Sequence, residues 1–291
     1  MEMVGRLAGA PISWGVCEVP GWGLMLTPER VLAEMSQLGL AAAELGPVGY
    51  LGDSPEAVRS LLDGYGVRLV GGFVPVVLHD RTARDDTIRF ARQAASTLSS
   101  AGARYFVTAV VVDPEWAPRV PLSAAEWHDL FDGLGMLDEL CAEFGLVQVL
   151  HPHVGTLVET ADDVARTLEG SDCLWCLDTG HLSIGGVDPA AFAAANASRV
   201  GHVHLKDVDL DLAREVREGR LSLLEGTRRG LFRSLGRGGV DIASVIGSLE
   251  KAGYRGWYVL EQDCTLDTEP VAGSGPIEEV KVSLDFLAAL P

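Results

Sequence analysis

Residues 146–207 read LVQVLHPHVGTLVETADDVARTLEGSDCLWCLDTGHLSIGGVDPAAFAAANASRVGHVHLKD, and this stretch repeats one pattern three times. Each copy opens on a short apolar run: Leu146–His151, Leu174–Asp178 and Val200–Leu205. None of the three alternates cleanly with polar residues, which suits strands covered on both faces in a parallel sheet. Helical spacing follows the first two runs. Thr160-Ala161-Asp162-Asp163 opens one helix as the aspartate variant of a capping box. Strand, helix, strand at this spacing is the repeating unit of a parallel sheet.

The same alternation runs outward to both ends of the chain. Further strands are predicted at Ala8–Trp14, Ala41–Leu45, Val67–Val74, Tyr105–Val111 and Tyr258–Glu261, which makes eight. Thr27-Pro28-Glu29, Ser54-Pro55-Glu56 and Ser123-Ala124-Ala125-Glu126 read as helix starts, each with a capping side chain before a helix-compatible residue. Gly39, Gly66, Gly102, Gly145 and Gly253 each stand after a helical run and before a strand, where a left-handed cap is wanted. Eight such units in 291 residues predict an α/β fold, a (β/α)8 TIM barrel forming a single domain over residues 1–291. An open doubly wound sheet would carry a GxGxxG turn after its first strand, and Pro11-Ile12-Ser13-Trp14-Gly15 holds none. The outsized connection, Asp207 to Arg237, is expected to be a long loop after strand seven that serves as a lid.

Charge and composition narrow the function. With 41 acidic against 23 basic residues the formal charge is −18, which argues against nucleic acid as a partner. A 47% hydrophobic content excludes long disorder. No basic leader precedes an apolar run and no membrane-length apolar segment occurs, so a cytoplasmic protein without a membrane partner is expected. Five scattered cysteines fit reduced thiols; Cys173 and Cys176 lack the second pair that zinc would need and are read as part of a buried strand. The segment Leu122–Phe144 leaves a homo-oligomer open.

Reactive groups in such barrels sit at the C-terminal ends of strands. Five of the seven histidines, His151, His153, His181, His202 and His204, fall at the ends of three consecutive strands, together with Asp178. Glu44 ends the second strand and Glu261 the eighth. One buried histidine satisfied by a hydrogen bond is ordinary. Five at one rim with carboxylates point to a divalent metal ion, and the mixed donors suit Mn²⁺, Co²⁺, Fe²⁺ or Mg²⁺ better than a closed thiolate zinc site. HExxH, GxSxG and Walker motifs are all absent.

Seven strings, taken in order, resemble the xylose isomerase-like barrels, a superfamily of sugar isomerases, epimerases and dehydratases. LDTGH at Leu177–His181, HVHLKDV at His202–Val208 and GWYVLEQD at Gly256–Asp263 carry the superfamily likeness. HPHVGTLVET at His151–Thr160, APISWG at Ala10–Gly15, ELGPVGYL at Glu44–Leu51 and GLFRSLGRGGVD at Gly230–Asp241 resemble the inosose dehydratase branch. The resemblance implies a metal held by one residue from each of the last four strands: Asp178, His204, Glu261 and, where glutamate is common in the superfamily, His151. His153 stands as the other option for the fourth ligand, or as a substrate contact. Mn²⁺ or Co²⁺ is expected first, with Mg²⁺, Fe²⁺ and Zn²⁺ within the range of the donors.

The resemblance further implies a small polyol or keto-sugar substrate, with water eliminated from a keto-inositol through an enolate that the metal stabilises as a Lewis acid. Lys206, Glu44, His181 and His153 are the candidates for moving protons. Lys206 lies two residues beyond His204, so strand parity points it to the same side. Glu44 serves equally as a group that orients a ligand. Trp14 reads either as an apolar wall for a sugar ring or as a barrel plug, and Arg237 either as a substrate clamp or as a solvated surface residue. Three alternatives use the same residues: keto-sugar epimerisation or isomerisation, β-elimination of a 3-keto-glycoside, and sugar binding without catalysis.

Overall fold

The computed structural model describes residues 5–290. Its strands and helices alternate as β1 (Leu7–Gly9), α1 (Pro28–Gln37), β2 (Ala42–Ala43), α2 (Pro55–Tyr65), β3 (Arg68–Leu69), β4 (Gly71–Val76), α3 (Arg84–Ser100), β5 (Tyr105–Val110), α4 (Ala124–Glu143) and β6 (Val147–Leu150). There follow α5 (Ala161–Gly170), β7 (Trp175–Asp178), α6 (Thr179–Gly185), α7 (Pro189–Asn196), β8 (Val200–Leu205), β9 (Asp207–Val208), α8 (Leu210–Arg217), α9 (Leu223–Arg228), β10 (Phe232–Arg233), α10 (Ile242–Lys251), β11 (Tyr258–Leu260) and α11 (Pro276–Ala288). Nine strands form one parallel sheet in the order β3-β2-β1-β11-β8-β7-β6-β5-β4. Its two edge strands are halves of a single strand, separated by Val70 alone.

Val70 closes the ring. Its amide donates to Ala43 O (2.9 Å) on the β2 side, while its carbonyl accepts from Arg104 N (2.8 Å) and Tyr105 N (3.0 Å) on the β5 side. The sheet is therefore a barrel of eight staves, as the alternation predicts. Inside lie Ala8, Ala42, Val70, Val107, Val149, Cys176 and Val259, all buried. The opposite faces of the strands pack against the helices through Leu69, Phe106, Leu150, Trp175, Leu177, Val203 and Leu205. Double coverage explains why the strand sequences lack polar alternation.

The helix starts follow the capping chemistry. Thr27, Ser54, Ser123 and Thr160 each accept a backbone N–H in the first helical turn, and Ser123–Glu126 and Thr160–Asp163 are reciprocal capping boxes. Each such cap contributes about 1 kcal/mol. Gly39, Gly66, Gly102, Gly145 and Gly253 all have positive φ, as a left-handed helix stop requires.

Two expectations need correction. The first strand ends at Gly9, and Pro11–Trp14 is a 3-10 turn, so Trp14 is not at a strand end. Pro11 has no N–H to continue the ladder. The stretch from Asp207 to Arg237 is not a structureless loop: it folds as β9, α8, α9 and β10, with β9 and β10 antiparallel and Val208 opposite Phe232. Val208, Ala213, Val216, Leu221, Leu231 and Phe232 form an apolar cluster of its own, seated on Ile184 of α6. Each such side chain contributes about 1.5–3 kcal/mol when buried, which offsets the cost of ordering the backbone.

Candidate active site

At the C-terminal ends of the strands, parity sorts the side chains. His202, His204 and Lys206 lie two apart in and just after β8; Cys176 and Asp178 do so on β7, and Glu261 follows β11. All of them turn inward, and every one except Glu261 is buried. His151 follows β6, with its amide on Thr108 O (2.7 Å).

Four side chains converge. Asp178 Oδ2 is 3.3 Å from His151 Nε2 and 3.5 Å from His204 Nδ1, while Glu261 Oε2 is 2.6 Å from His204 Nδ1. Ligand atoms about 2.1 Å from a shared ion lie about 3.0 Å apart at right angles and about 3.4 Å apart at tetrahedral angles. The two separations from Asp178 Oδ2 fall near the tetrahedral value, and the His204–Glu261 approach is closer than either. His204 Nδ1 and Glu261 Oε2, despite their approach, lack hydrogen-bond geometry toward each other and are buried polar atoms without a hydrogen-bond partner. Such atoms normally find a partner. A cation between them satisfies both.

The surroundings prepare these donors. Asp178 Oδ1 accepts the His181 amide (2.7 Å) and so caps α6, leaving Oδ2 for the cluster. Glu44 Oε1, just after β2, lies 3.0 Å from His204 Nε2 and 2.9 Å from His202 Nε2. With the Nε2–H donated to Glu44, His204 keeps its Nδ1 lone pair for an ion. Burial opposes ionisation of Glu44, but His204 and His202 hold its carboxyl well below the usual range. Glu261 is likewise resisted by burial yet brought down to about 2 by Lys206 and His204. Three carboxylates (Asp178, Glu261 and Asp263) thus face the Lys206 ammonium, and a fourth, Glu44, pairs with His202 and His204. That excess of negative charge raises His204 well above its ordinary pKa despite burial, while burial lowers His151 and His202. A divalent cation would take the place of the His204 proton. Asp178, His204 and Glu261 lie within mutual ligand distance; His151 shares such distances with Asp178 and His181, and separately with Cys176 and His204, and His153 belongs to no such set.

Lys206 is 1% exposed. Its Nζ is 2.8 Å from Asp263 Oδ1, 3.2 Å from Glu261 Oε1, 3.7 Å from Asp178 Oδ2 and 3.1 Å from His181 Nε2. Burial alone would lower its pKa; the charges of Asp263, Glu261 and Asp178 reverse this and keep it an ammonium. Asp263 is pushed up to about 6 by burial, with Glu261 adding and Lys206 opposing. Burial, then His153 and Lys206, keeps His181 neutral, while burial, then His151 and Lys206, holds His153 down to about 3. His153 Nδ1 contacts Val154 O (2.8 Å), its ring lies 3.9 Å from that of His181, and Phe73 and the exposed Trp116 flank it at the mouth.

Residues 32–290 match the family profile described as xylose isomerase-like TIM barrel. The chain belongs to that family. Its relatives include an inosose dehydratase of Geobacillus kaustophilus, 34% identical over 270 residues spanning 89% of this chain and 87% of the relative. The rhizopine catabolism protein MocC of Rhizobium meliloti is 35% identical over 267 residues, 89% of this chain and 81% of its own. Among solved structures, a D-allulose 3-epimerase from Methylomonas superposes with a TM-score of 0.69 at 16% identity, covering 98% of each chain. The E. coli 3-keto-D-glucoside 4-epimerase gives 0.67 at 16% identity over 97% of this chain and 98% of that one. These two show the fold.

Within this xylose isomerase-like barrel, His151, Asp178, His204, Glu261, Lys206, His181, Glu44 and His153 come together; two other predicted residues do not. Trp14 is fully buried, donating its indole N–H to Glu34 Oε2 (2.8 Å) on α1, so no ring face remains for a substrate. Arg237 is exposed in a turn whose amides at Gly236, Gly238 and Val240 point inward to the Asp207 carboxylate, leaving the arginine on the outer surface near α11. His202 and Asp263 carry no role in the sequence reading, although the parity that links His204 to Lys206 also links them to His204 and Glu261. Phe73 and Trp116 carry no motif, and only the chain path brings them to the mouth.

Proposed function

We propose that this chain is a metal-dependent dehydratase of a keto-inositol, removing water from 2-keto-myo-inositol or a close relative. The observation that carries the reading is the convergence of His151 Nε2, Asp178 Oδ2, His204 Nδ1 and Glu261 Oε2, two of them buried without a hydrogen-bond partner, in a chain 34% identical to an inosose dehydratase. These four residues are the ligands, with His151 rather than His153 as the fourth; Mn²⁺ or Co²⁺ suits them best. When bound, such a cation supplies Lewis-acid stabilisation of the negative charge that develops beside a carbonyl as its α-proton leaves.

The protein residues divide the remaining work. The α-proton must pass to a base, and the β C–O bond must break with a proton delivered to its oxygen, so that water leaves. Lys206, held as an ammonium by three carboxylates, is the proton donor to that oxygen. His181, kept neutral and 3.1 Å from Lys206 Nζ, is the acceptor. His153 keeps its Nε2 free to hold a substrate hydroxyl at the mouth, between Phe73 and Trp116. Glu44 lies beneath the ligands and acts by orienting His204. The test is turnover of 2-keto-myo-inositol with added Mn²⁺ or Co²⁺, followed by ultraviolet absorption of the dione. Dione formation abolished by EDTA and by His204→Ala is expected. Conversion to an epimer without dione would overturn dehydration in favour of epimerisation.

A further inference from the structure

Phe232 brings the excursion between β8 and α10 into contact with the chemistry. It is 4% exposed, and Lys206 Nζ lies over its ring, 5.2 Å from the centroid. The His181 ring stands edge-on to it at 6.3 Å. Asp178, Glu261, Asp263 and His181 surround Nζ elsewhere. The alkyl stem is fixed too: a Cβ at Gly180 would come within 2.6 Å of Lys206 Cβ.

Three carboxylates attract an ammonium strongly but share it, and Coulomb attraction is weakly directional. An aromatic face adds attraction without offering a proton donor or acceptor, and it keeps water away. The ring is itself well held. Phe232 pairs with Val208 across β9 and β10, and the Asp207 carboxylate ties Gly236, Gly238 and Val240 to the base of the excursion.

We propose that Phe232 is a positioning residue of the active site, its ring face holding the Lys206 ammonium against the three carboxylates and excluding water from it. This rests on the reading of Lys206 as the proton donor, and the experiment separates the two. The chain has only three lysines, Lys206, Lys251 and Lys281, so ¹³C-lysine labelling gives three ε-methylene signals. Nuclei above a ring face resonate upfield. One of the three signals should be shifted upfield in the wild type and return toward the others in Phe232→Leu; no shifted signal in the wild type would overturn the contact whatever the substrate. In the dehydratase assay, Phe232→Leu and Phe232→pentafluorophenylalanine, which keeps the ring's shape and reverses its quadrupole, should each lower kcat about 10- to 30-fold with KM nearly unchanged. Either variant with wild-type kcat would overturn the positioning role. A wild type inactive on keto-inositol would retire the functional reading instead, with the spectrum still deciding the contact.

Discussion

Gly180 gives the most direct test of how tightly Lys206 must be placed. A Cβ there would lie 2.6 Å from Lys206 Cβ, 3.1 Å from Lys206 Cδ and 3.4 Å from Asp178 Oδ1. Carbon atoms in contact sit about 3.5–4.0 Å apart, so Gly180→Ala demands a separation of about 1 Å. The backbone cannot easily yield it. Lys206 N donates to Thr179 Oγ1 (2.8 Å), and that hydroxyl donates to Lys206 O (2.6 Å), stitching the start of α6 to the end of β8. Two Cβ atoms cannot be separated by rotating a side chain, so the strand end must shift at a cost and carry Lys206 with it. Two stability effects oppose each other: alanine in a helix gains about 1 kcal/mol over glycine, and overpacking costs about 1–3 kcal/mol. The net loss of about 0–2 kcal/mol leaves a folded protein. Turnover suffers more, because a misplacement of about 1 Å costs on the order of 100-fold in rate. Initial rates on 2-keto-myo-inositol, with metal content and melting temperature measured on the same samples, should show kcat lowered about 100-fold at unchanged metal stoichiometry. A Gly180→Ala protein within about threefold of wild type would refute the idea that Lys206 placement governs turnover.

Three other outcomes follow from the site. Glu44→Ala should weaken cation binding about 10- to 100-fold in a calorimetric titration, because His204 loses the acceptor that fixes its ring, while Glu44→Gln, which keeps a carbonyl acceptor, should lose less. A cation at about 100 times its Kd adds about 2.7 kcal/mol of stability, so EDTA should lower the melting temperature by about 4–5 °C, and His204→Ala should show no such response. His153 is held neutral in the fold down to about 3, whereas the unfolded chain protonates it near its ordinary value of 6.5. The unfolded state then binds the extra proton, so this contribution is full above pH 6.5 and is lost as pH falls toward 3, by at most about 1.4 kcal/mol per unit. Urea denaturation of metal-free protein should accordingly show the wild type losing up to about 2–3 kcal/mol more than His153→Asn between pH 6.5 and 4.5; equal slopes would contradict it.

The barrel was legible because its signals are local. Capping at Thr27, Ser54, Ser123 and Thr160 and the glycine stops at 39, 66, 102, 145 and 253 each act over one turn, and the chain obeys them. The histidine-rich rim was legible for a similar reason, since i, i+2 parity on a strand needs no knowledge of the rest of the fold. Closure was not legible. It depends on Val70 handing the ladder from β2 to β5, which is a long-range event. The run through Trp14 looked like strand to its end because apolar composition masked the missing N–H of Pro11. The excursion did carry local signals, Asp209 and Ser222-Leu223-Leu224-Glu225, that mark the starts of α8 and α9. High charge hid their apolar faces, which meet only when the two short helices pack together.

Lys206 and Asp207 are adjacent in the chain and serve opposite sides of the strand end. Lys206 enters the site, while the Asp207 carboxylate gathers the amides of Val208, Gly236, Gly238 and Val240. The excursion thus leaves and returns to the barrel at a single carboxylate. Mechanically this makes it a separable unit: its helices pack on their own cluster, and the root at Asp207 together with Phe232 fixes its register to the barrel. Changes within the excursion therefore need not disturb the staves that carry Lys206 and the converging histidines and carboxylates.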